Sequence, residues 1–106
     1  MKQLTNNLLK INFKGIDLLN GVSKVEFAFS QEIGETPLKL AEYPGDSVVM
    51  LSNTSLGVIW TAAETKEFKA DEYFYLDTRI TPSDTAYQPE TEIIKLKMNP
   101  TLFEGA

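Results

Sequence analysis

The sequence contains neither cysteine nor histidine among its 106 residues. Without cysteine, the chain has no disulfide, no thiolate metal site and no thiol nucleophile. This absence is compatible with an oxidising compartment and with a reducing one. Without histidine, it lacks the commonest general base and the commonest metal ligand, so a catalytic triad or a zinc hydrolase site would need unusual substitutes. No nucleophile motif is present either. We therefore expect a protein that is not an enzyme, with no catalytic residues, no cofactor and no bound metal.

Membranes and nucleic acids are both disfavoured as partners. No apolar run approaches the roughly 20 residues that cross a bilayer. Polar residues interrupt the N-terminal stretch before it reaches the length of a signal-peptide core: Asn6, Asn7, Lys10 and Asn12. We expect the protein to stay where it is made, or to leave by a route other than secretion.

A net charge of −5, from 15 acidic and 10 basic residues, disfavours a surface that binds phosphates. Nucleic acid is therefore not an expected partner.

Alternation of apolar and polar residues with a period of two, typical of β-strands, runs through most of the chain. It is strongest over residues 73–80, which place Phe74, Leu76, Thr78 and Ile80 on one face and Tyr73, Tyr75, Asp77 and Arg79 on the other. Shorter alternations predict strands near residues 9–13, 25–29, 38–44, 58–60 and 94–98. The continuous apolar run at residues 48–51 predicts a strand that is covered on both faces.

One short helix interrupts the strands. Thr61-Ala62-Ala63-Glu64 fits a capping box, in which the threonine hydroxyl and the glutamate carboxylate each accept a hydrogen bond from the other residue's backbone amide. Good helix formers continue for only about two turns, which is too short to be stable without packing. Phe68 is the predicted anchor of this segment.

About seven strands with turn signals between them, and one short helix, predict an all-β domain. The expected architecture is an antiparallel sandwich that occupies residues 1–106 as a single domain. A chain of this length buries one hydrophobic core without needing disulfides or a structural metal. We expect that core to contain seven apolar side chains: Val25, Phe27, Phe29, Trp60, Phe74, Leu76 and Leu96.

Two passages carry a family resemblance. Asp17-Leu18-Leu19-Asn20-Gly21, followed by Lys24-Val25-Glu26-Phe27, resembles the pattern D-L-T-G-x-x-V-x-F, and residues 61–65 with 73–77 resemble L-T-x-E-E-T … A-G-x-Y-x-Y-D. These patterns belong to small immunoglobulin-like proteins encoded among the tail and baseplate genes of phages and prophages, similar to the immunoglobulin-like domain of baseplate upper proteins. The resemblance covers roughly residues 8–98. Leu19 stands where a small polar residue is usual, and Ala70-Asp71-Glu72 lacks the usual glycine.

The resemblance implies an immunoglobulin-like sandwich that serves as a tail- or baseplate-associated structural protein. Such a protein acts through contacts with other phage structural proteins or with a second copy of itself, in the virion or in the host bacterial cytoplasm before assembly. The outward residues of the 73–80 strand are the predicted interface. Tyr73 and Tyr75 beside Arg79 form the mixture of aromatic and arginine side chains that is enriched where proteins meet.

A carbohydrate-binding or adhesion module is the alternative function. It would need an exposed aromatic face, and four residues are candidates for a sugar-stacking platform: Trp60, Tyr73, Tyr75 and Tyr87. Of these, Trp60 is better suited to filling the core between the sheets.

Acidic residues are the remaining candidates for chemistry. A calcium site built from Asp71, Glu72, Asp77 and Asp84 would have suitable oxygen ligands but no spaced ligand loop, so solvated surface carboxylates are the favoured interpretation. A hydrolytic pair among Glu64, Glu67 and Asp71 is disfavoured, because capping already accounts for Glu64.

Overall fold

The computed structural model describes residue 1, residues 6–83 and residues 93–99. This part of the chain forms seven strands and one helix: β1 (Asn7–Asn12), β2 (Val22–Ser30), β3 (Lys39–Tyr43), β4 (Val48–Ser52), β5 (Ser55–Trp60), α1 (Ala62–Lys66), β6 (Glu72–Pro82) and β7 (Ile93–Met98). All strand pairs are antiparallel and make two sheets, one in the order β1-β5-β4 and the other in the order β3-β2-β6-β7. The predicted all-β sandwich with one short helix is confirmed.

The strand order is that of an immunoglobulin domain. The three-stranded sheet corresponds to strands B, E and D, and the four-stranded sheet corresponds to strands C′, C, F and G. Strand A of that scheme has no counterpart among the residues that the structure describes, so β1 forms an edge of its sheet. No helix in the described part of the chain is long and apolar enough to cross a bilayer.

The core between the sheets is built around Trp60. Its ring lies 4.7 Å from that of Phe29, 5.3 Å from that of Phe68 and 5.8 Å from that of Phe74, with each pair close to edge-to-face. Aromatic pairs favour this arrangement because the positive ring edge meets the negative ring face. Phe68, predicted to anchor the helical segment, is buried in this cluster.

Six of the seven predicted core residues are fully buried: Val25, Phe27, Phe29, Trp60, Phe74 and Leu76. The prediction for Leu96 is wrong, since this side chain is only half-buried. Leu96 lies on β7, the edge strand of its sheet, where the opposite layer covers the inner face incompletely. Met98, two residues further along the same face, fills the core instead.

The predicted capping box is present at the start of α1. The Thr61 hydroxyl accepts a hydrogen bond from the Glu64 amide at 3.2 Å, and the Glu64 carboxylate accepts one from the Thr61 amide at 2.9 Å. A third amide, that of Ala62, donates to the side-chain oxygen of Asn6 at 2.9 Å. Three of the helix's initial amide groups therefore have side-chain partners.

We expect Thr61→Ala to lower the free energy of unfolding by about 0.5–2 kcal/mol, because the Glu64 amide loses its acceptor. Thr61→Ser keeps the oxygen and should stay close to the wild-type value. Urea denaturation followed by circular dichroism measures both. Equal stability of the alanine and serine variants would mean that the hydroxyl contributes nothing to the cap.

Candidate interaction surfaces

The outer side of the three-stranded sheet carries an aliphatic patch beside the exposed Lys10, which pairs in register with Gly57. Four residues that point away from the core define this three-stranded face: Leu8, Val49, Leu51 and Ile59. They surround Gly57, where an added Cβ would come within 2.8 Å of a Leu8 methyl carbon and 3.3 Å of a Leu51 methyl carbon. The absence of a side chain at Gly57 therefore lets the two leucines close over the middle of the sheet. Even so, Leu8 remains 53% exposed and Leu51 43%.

This arrangement corrects the prediction for residues 48–51. On β4, Val48 is buried and Met50 is half-buried against the core, whereas Val49 and Leu51 face outward and are exposed. The run is apolar on both sides, but the chain covers only one of them, because no further layer lies on this sheet among the described residues.

The outer side of the four-stranded sheet carries a mixed surface. One row of residues in register crosses it from β3 to β7, with Leu40, Ala28, Asp77 and Ile93 in that order. Leu40 is 71% exposed and Ile93 is exposed. A shallow depression of about 110 Å³ lies beside Ala28 in the middle of the row. We call the surface formed by this row and the neighbouring outward residues of the same strands the four-stranded face.

Tyr73, Tyr75 and Arg79 all lie on the four-stranded face, as the alternation in β6 requires. Tyr73 is exposed and has the Lys95 ammonium 4.1 Å from its ring centroid, in cation–π contact. Tyr75 is half-buried. Their role in an interface remains a prediction, whereas their common position on one surface is observed.

Arg79 is already paired within the chain. Its guanidinium donates two hydrogen bonds to the Glu26 carboxylate, at 3.0 and 2.8 Å, in the fork geometry that favours arginine. These bonds lower the pKa of Glu26 and raise that of Arg79. Lys24 lies between Glu26 and Glu42, with its ammonium 3.8 Å from one carboxylate and 3.5 Å from the other.

Charge is distributed unevenly across the four-stranded face. The β7 side carries two outward lysines, Lys95 and Lys97, which pair in register with Tyr75 and Tyr73. The β3 side carries Glu42, and the loop that leads into β3 adds the exposed Glu32 and Glu35. Glu32 and Glu35 line the same depression as Tyr75, Asp77 and Ile93, so acidic side chains extend into the middle of the face as well.

The inner side of β3 carries a buried lysine that the sequence analysis did not single out. Lys39 is only 5% exposed, and its ammonium forms an ion pair of 2.5 Å with the second carboxylate oxygen of Glu64. The same ammonium lies 5.1 Å from the centroid of the Trp60 ring. Burial raises the pKa of Glu64, but the hydrogen bonds from Lys39 and from Thr61 outweigh this effect and hold the pKa below its ordinary value. The Glu64 carboxylate thus joins α1 both to its own first turn and to β3.

Most residues predicted for a sugar platform, a calcium site or a hydrolytic pair are buried, already paired or outside the described residues. Trp60 is fully buried, so only Tyr73 and Tyr75 of the described residues remain for a sugar platform. Tyr87 and Asp84 lie outside the described residues.

Within the described part of the chain, no three acidic side chains come together in a way that could hold a metal ion. Glu64 is engaged by the cap and by Lys39, and Asp71 forms an exposed ion pair of 3.1 Å with Lys97.

No family model, curated protein or solved structure matches this chain.

Proposed function

We propose that this chain is a structural module of a phage or prophage tail or baseplate, which acts through protein–protein contacts. The observation that carries the proposal is the presence of exposed apolar residues on the outer faces of both sheets, on opposite sides of one sandwich. Contiguous apolar patches on soluble proteins mark interaction sites. The three-stranded face, where four aliphatic side chains surround Gly57, is such a patch, whereas the four-stranded face has Leu40 and Ile93 exposed at its two edges. A unit with these surfaces is suited to contact with neighbours in an assembly.

The pattern of β4 supports this proposal. An apolar run such as residues 48–51 is what a strand has when layers cover it on both sides. Among the described residues, nothing forms a second layer over Val49 and Leu51. A partner that lies on the three-stranded face would supply it, since it would remove both side chains from water.

Support for the phage assignment comes from the residues of the sequence resemblance. Asp71 adopts a φ of 60°, a conformation that glycine accepts readily, at the position where the family pattern has glycine. In the other passage, the Gly21 amide donates to the Asp17 carbonyl at 2.7 Å, and the Asp17 carboxylate accepts a hydrogen bond from the Leu19 amide at 3.0 Å. Both passages are therefore turns whose backbone geometry calls for the residue types of the family pattern.

Phage origin also leads us to propose a location for the protein, in the virion or in the host bacterial cytoplasm before assembly. Its partners would be other phage structural proteins, a second copy of the chain, or both.

The alternative, a carbohydrate-binding module, rests on Tyr73 and Tyr75. These tyrosines border a shallow polar depression that also includes Gln31 and Glu72, and polar groups beside aromatic rings suit a sugar. Lys95 already occupies one side of the Tyr73 ring, which leaves less of the ring for stacking.

Mass spectrometry of particles induced from the bacterium that encodes the chain tests the proposal. We expect the protein in purified particles, and we expect Leu51→Glu to prevent its incorporation because a carboxylate replaces an aliphatic contact. Leu19→Glu is the matched control, since Leu19 is an exposed leucine on the Asp17–Gly21 turn and belongs to neither face. Absence from particles and from assembly intermediates, combined with tight binding to a glycan array, would replace this function with the carbohydrate-binding one.

A further inference from the structure

We infer that the open edge of β7 accepts an extended segment of a partner protein as an added strand, parallel to β7, with apolar residues at alternate positions and an acidic residue between them. The inference rests on the proposed function, because it names the kind of segment through which a neighbour in the assembly contacts this module. Addition of a strand to an exposed sheet edge is a recurrent mode of recognition, in which backbone hydrogen bonds provide affinity and alternate side chains provide specificity.

Backbone groups along one side of β7 have no partner among residue 1, residues 6–83 and residues 93–99, since β7 is the last strand of its sheet. The Met98 carbonyl faces β6, where it accepts a hydrogen bond from the Asp71 amide at 2.7 Å. The Lys97 carbonyl faces the open side, where it accepts one from the Met1 amino group at 3.1 Å. Because successive residues of a strand direct their backbone groups to opposite sides, Ile93 and Lys95 also present an amide and a carbonyl to the open side.

Met1 shows which direction an added strand takes. Its amino group donates to the Lys97 carbonyl, and its carbonyl accepts from the Asn99 amide at 2.6 Å. A residue that bonds to two positions of its neighbour in this way, one on either side of Met98, belongs to a parallel pair. Met1 therefore occupies one position of a strand parallel to β7. The preceding positions in the same row, beside Leu96 and Ile94, are filled by no described residue, so a partner segment fits there and ends before Met1.

The side chains at these positions are incompletely covered. Residues 44–47 connect β3 to β4 at one side of the sandwich, so β1 and β7 are the two edges of the other side. Ile94 lies opposite the buried Leu76 and points inward, yet it is 38% exposed, and Leu96 is only half-buried. Residues side by side on neighbouring strands point to the same face. Apolar residues of an added strand beside Ile94 and Leu96 would therefore remove both side chains from water.

The position between them lies beside Lys95. Lysines on edge strands discourage strand addition, but both lysines of this edge are drawn away from it. The Lys95 ammonium lies 4.1 Å from the centroid of the Tyr73 ring, and Lys97 is paired with Asp71 at 3.1 Å, in each case on the β6 side of β7. Lys95 has no carboxylate partner among the described residues. An acidic residue beside it would supply one, as opposite charges do between neighbouring strands.

Nuclear magnetic resonance of the purified chain with a synthetic peptide tests the inference. The probe is a peptide with blocked ends in which valine and glutamate alternate. We expect it to bind with a Kd below about 1 mM. Hydrogen exchange of the Lys95 and Lys97 amides should slow at least about threefold at saturation, because both gain an acceptor. A peptide in which valine and lysine alternate should bind at least about threefold more weakly, since it opposes Lys95 with a like charge.

Methylation of the peptide backbone tests the direction of the strand. In a parallel strand, valine amides donate to the Ile93 and Lys95 carbonyls, and glutamate amides point away from β7. N-methylated valines should therefore abolish binding, whereas N-methylated glutamates should leave it intact. In an antiparallel strand the residue beside Lys95 exchanges both bonds with it, so the result would be reversed. Loss of binding with the methylated glutamates alone overturns the parallel arrangement.

Position 95 offers a matched pair of variants. Lys95→Pro removes an amide that faces away from β6, a place where edge strands accept proline, and should weaken peptide binding at least about tenfold. Lys95→Gln also removes the charge but keeps the amide, so it should stay within about threefold of the wild type. A folded proline variant that binds as well as the glutamine variant overturns the inference. If urea denaturation shows that the proline variant is unfolded, the methylated peptides decide.

Hydrogen exchange without peptide identifies other occupants of the edge. If the Lys95 and Lys97 amides are already as protected as that of Leu96, which faces β6, the chain covers its own edge. Protection that rises with protein concentration would identify a second copy as the occupant. Either result, or the absence of peptide binding up to about 1 mM, overturns the inference.

The edge site and the proposed function fail separately. A chain that is present in particles but binds no peptide removes the edge site and retains the structural function. A chain that binds the peptide but is absent from particles and assembly intermediates removes the structural function and retains the edge site.

Discussion

Trp60→Ala is expected to lower the free energy of unfolding by about 3–5 kcal/mol, because a large core ring is replaced by a cavity. Three aromatic rings lose their central neighbour, and the Lys39 ammonium loses its cation–π contact. A domain of this size has only about 5–15 kcal/mol in total, so the variant loses a large share of its stability.

Chemical denaturation monitored by far-ultraviolet circular dichroism measures this loss. Trp60→Phe is the matched control, since it keeps an aromatic ring in the core and since the buried Trp60 Nε1 has no hydrogen-bond partner among residues 6–83 and 93–99. Its loss should be clearly smaller than that of the alanine variant. An alanine variant within about 1 kcal/mol of the wild type would contradict the central position of Trp60 in the core.

Glu64→Gln is expected to lower the free energy of unfolding by about 2–3 kcal/mol, because it leaves the buried Lys39 ammonium without a counter-charge. We place the loss below that of a fully buried pair because the Glu64 side chain is 36% exposed. Glutamine preserves the shape and an acceptor for the Thr61 amide, but its NH2 group then faces the Lys39 ammonium, so the change removes the charge and the hydrogen bond to Lys39 together. Glu67→Gln, at the exposed end of the same helix, should have no measurable effect.

A second substitution separates the ion pair from general damage. Lys39→Met replaces the ammonium by an apolar group of similar length, so the double variant Lys39→Met/Glu64→Gln should recover most of the lost stability. Urea denaturation of the four proteins gives the coupling free energy. A double variant no more stable than Glu64→Gln would show that the loss does not come from the unpaired lysine.

The pH dependence of stability follows from the same pair. The pKa of Glu64 in the folded chain lies below its ordinary value of 4.5, so its contribution is fully present above pH 4.5 and is lost as the pH falls through the lower folded value. The wild type should therefore lose stability below pH 4.5. The loss should be shallower in Lys39→Met/Glu64→Gln, which lacks this carboxylate.

Sequence patterns predicted the start of the helix and the orientation of β6, because residues close together in the sequence determine both. The capping box at Thr61 depends on residues three positions apart, and the alternation from Tyr73 to Ile80 fixes which side of β6 faces the core. The sequence could therefore place Tyr73, Tyr75 and Arg79 on one surface. It could not show that Arg79 is paired with Glu26, because register between distant strands is absent from a local pattern.

Apolar alternation was a poor guide to β3 and β4. It would turn Leu40 toward the core, but Lys39 and Ala41 face inward and Leu40 faces water. Lysine is tolerated there because Glu64, on the segment that follows the opposite sheet, supplies a counter-charge. On β4, no second layer covers the run 48–51 in the part of the chain that the structure describes. Both departures leave apolar residues on the proposed interaction faces, where a partner would cover them.

The order in which the strands are synthesised differs from the order in which the four-stranded sheet can close. The β2–β3 and β4–β5 hairpins join strands that are neighbours in sequence, whereas β2 pairs with β6 across much of the chain, with Phe27 opposite Thr78. Pairing between such distant segments slows folding and exposes strand edges in the meantime. A ribosome must therefore release the chain beyond residue 82 before β2 gains its second neighbour. Between the synthesis of β3 and that of β6, the edge of β2 that will pair with β6 has no partner strand.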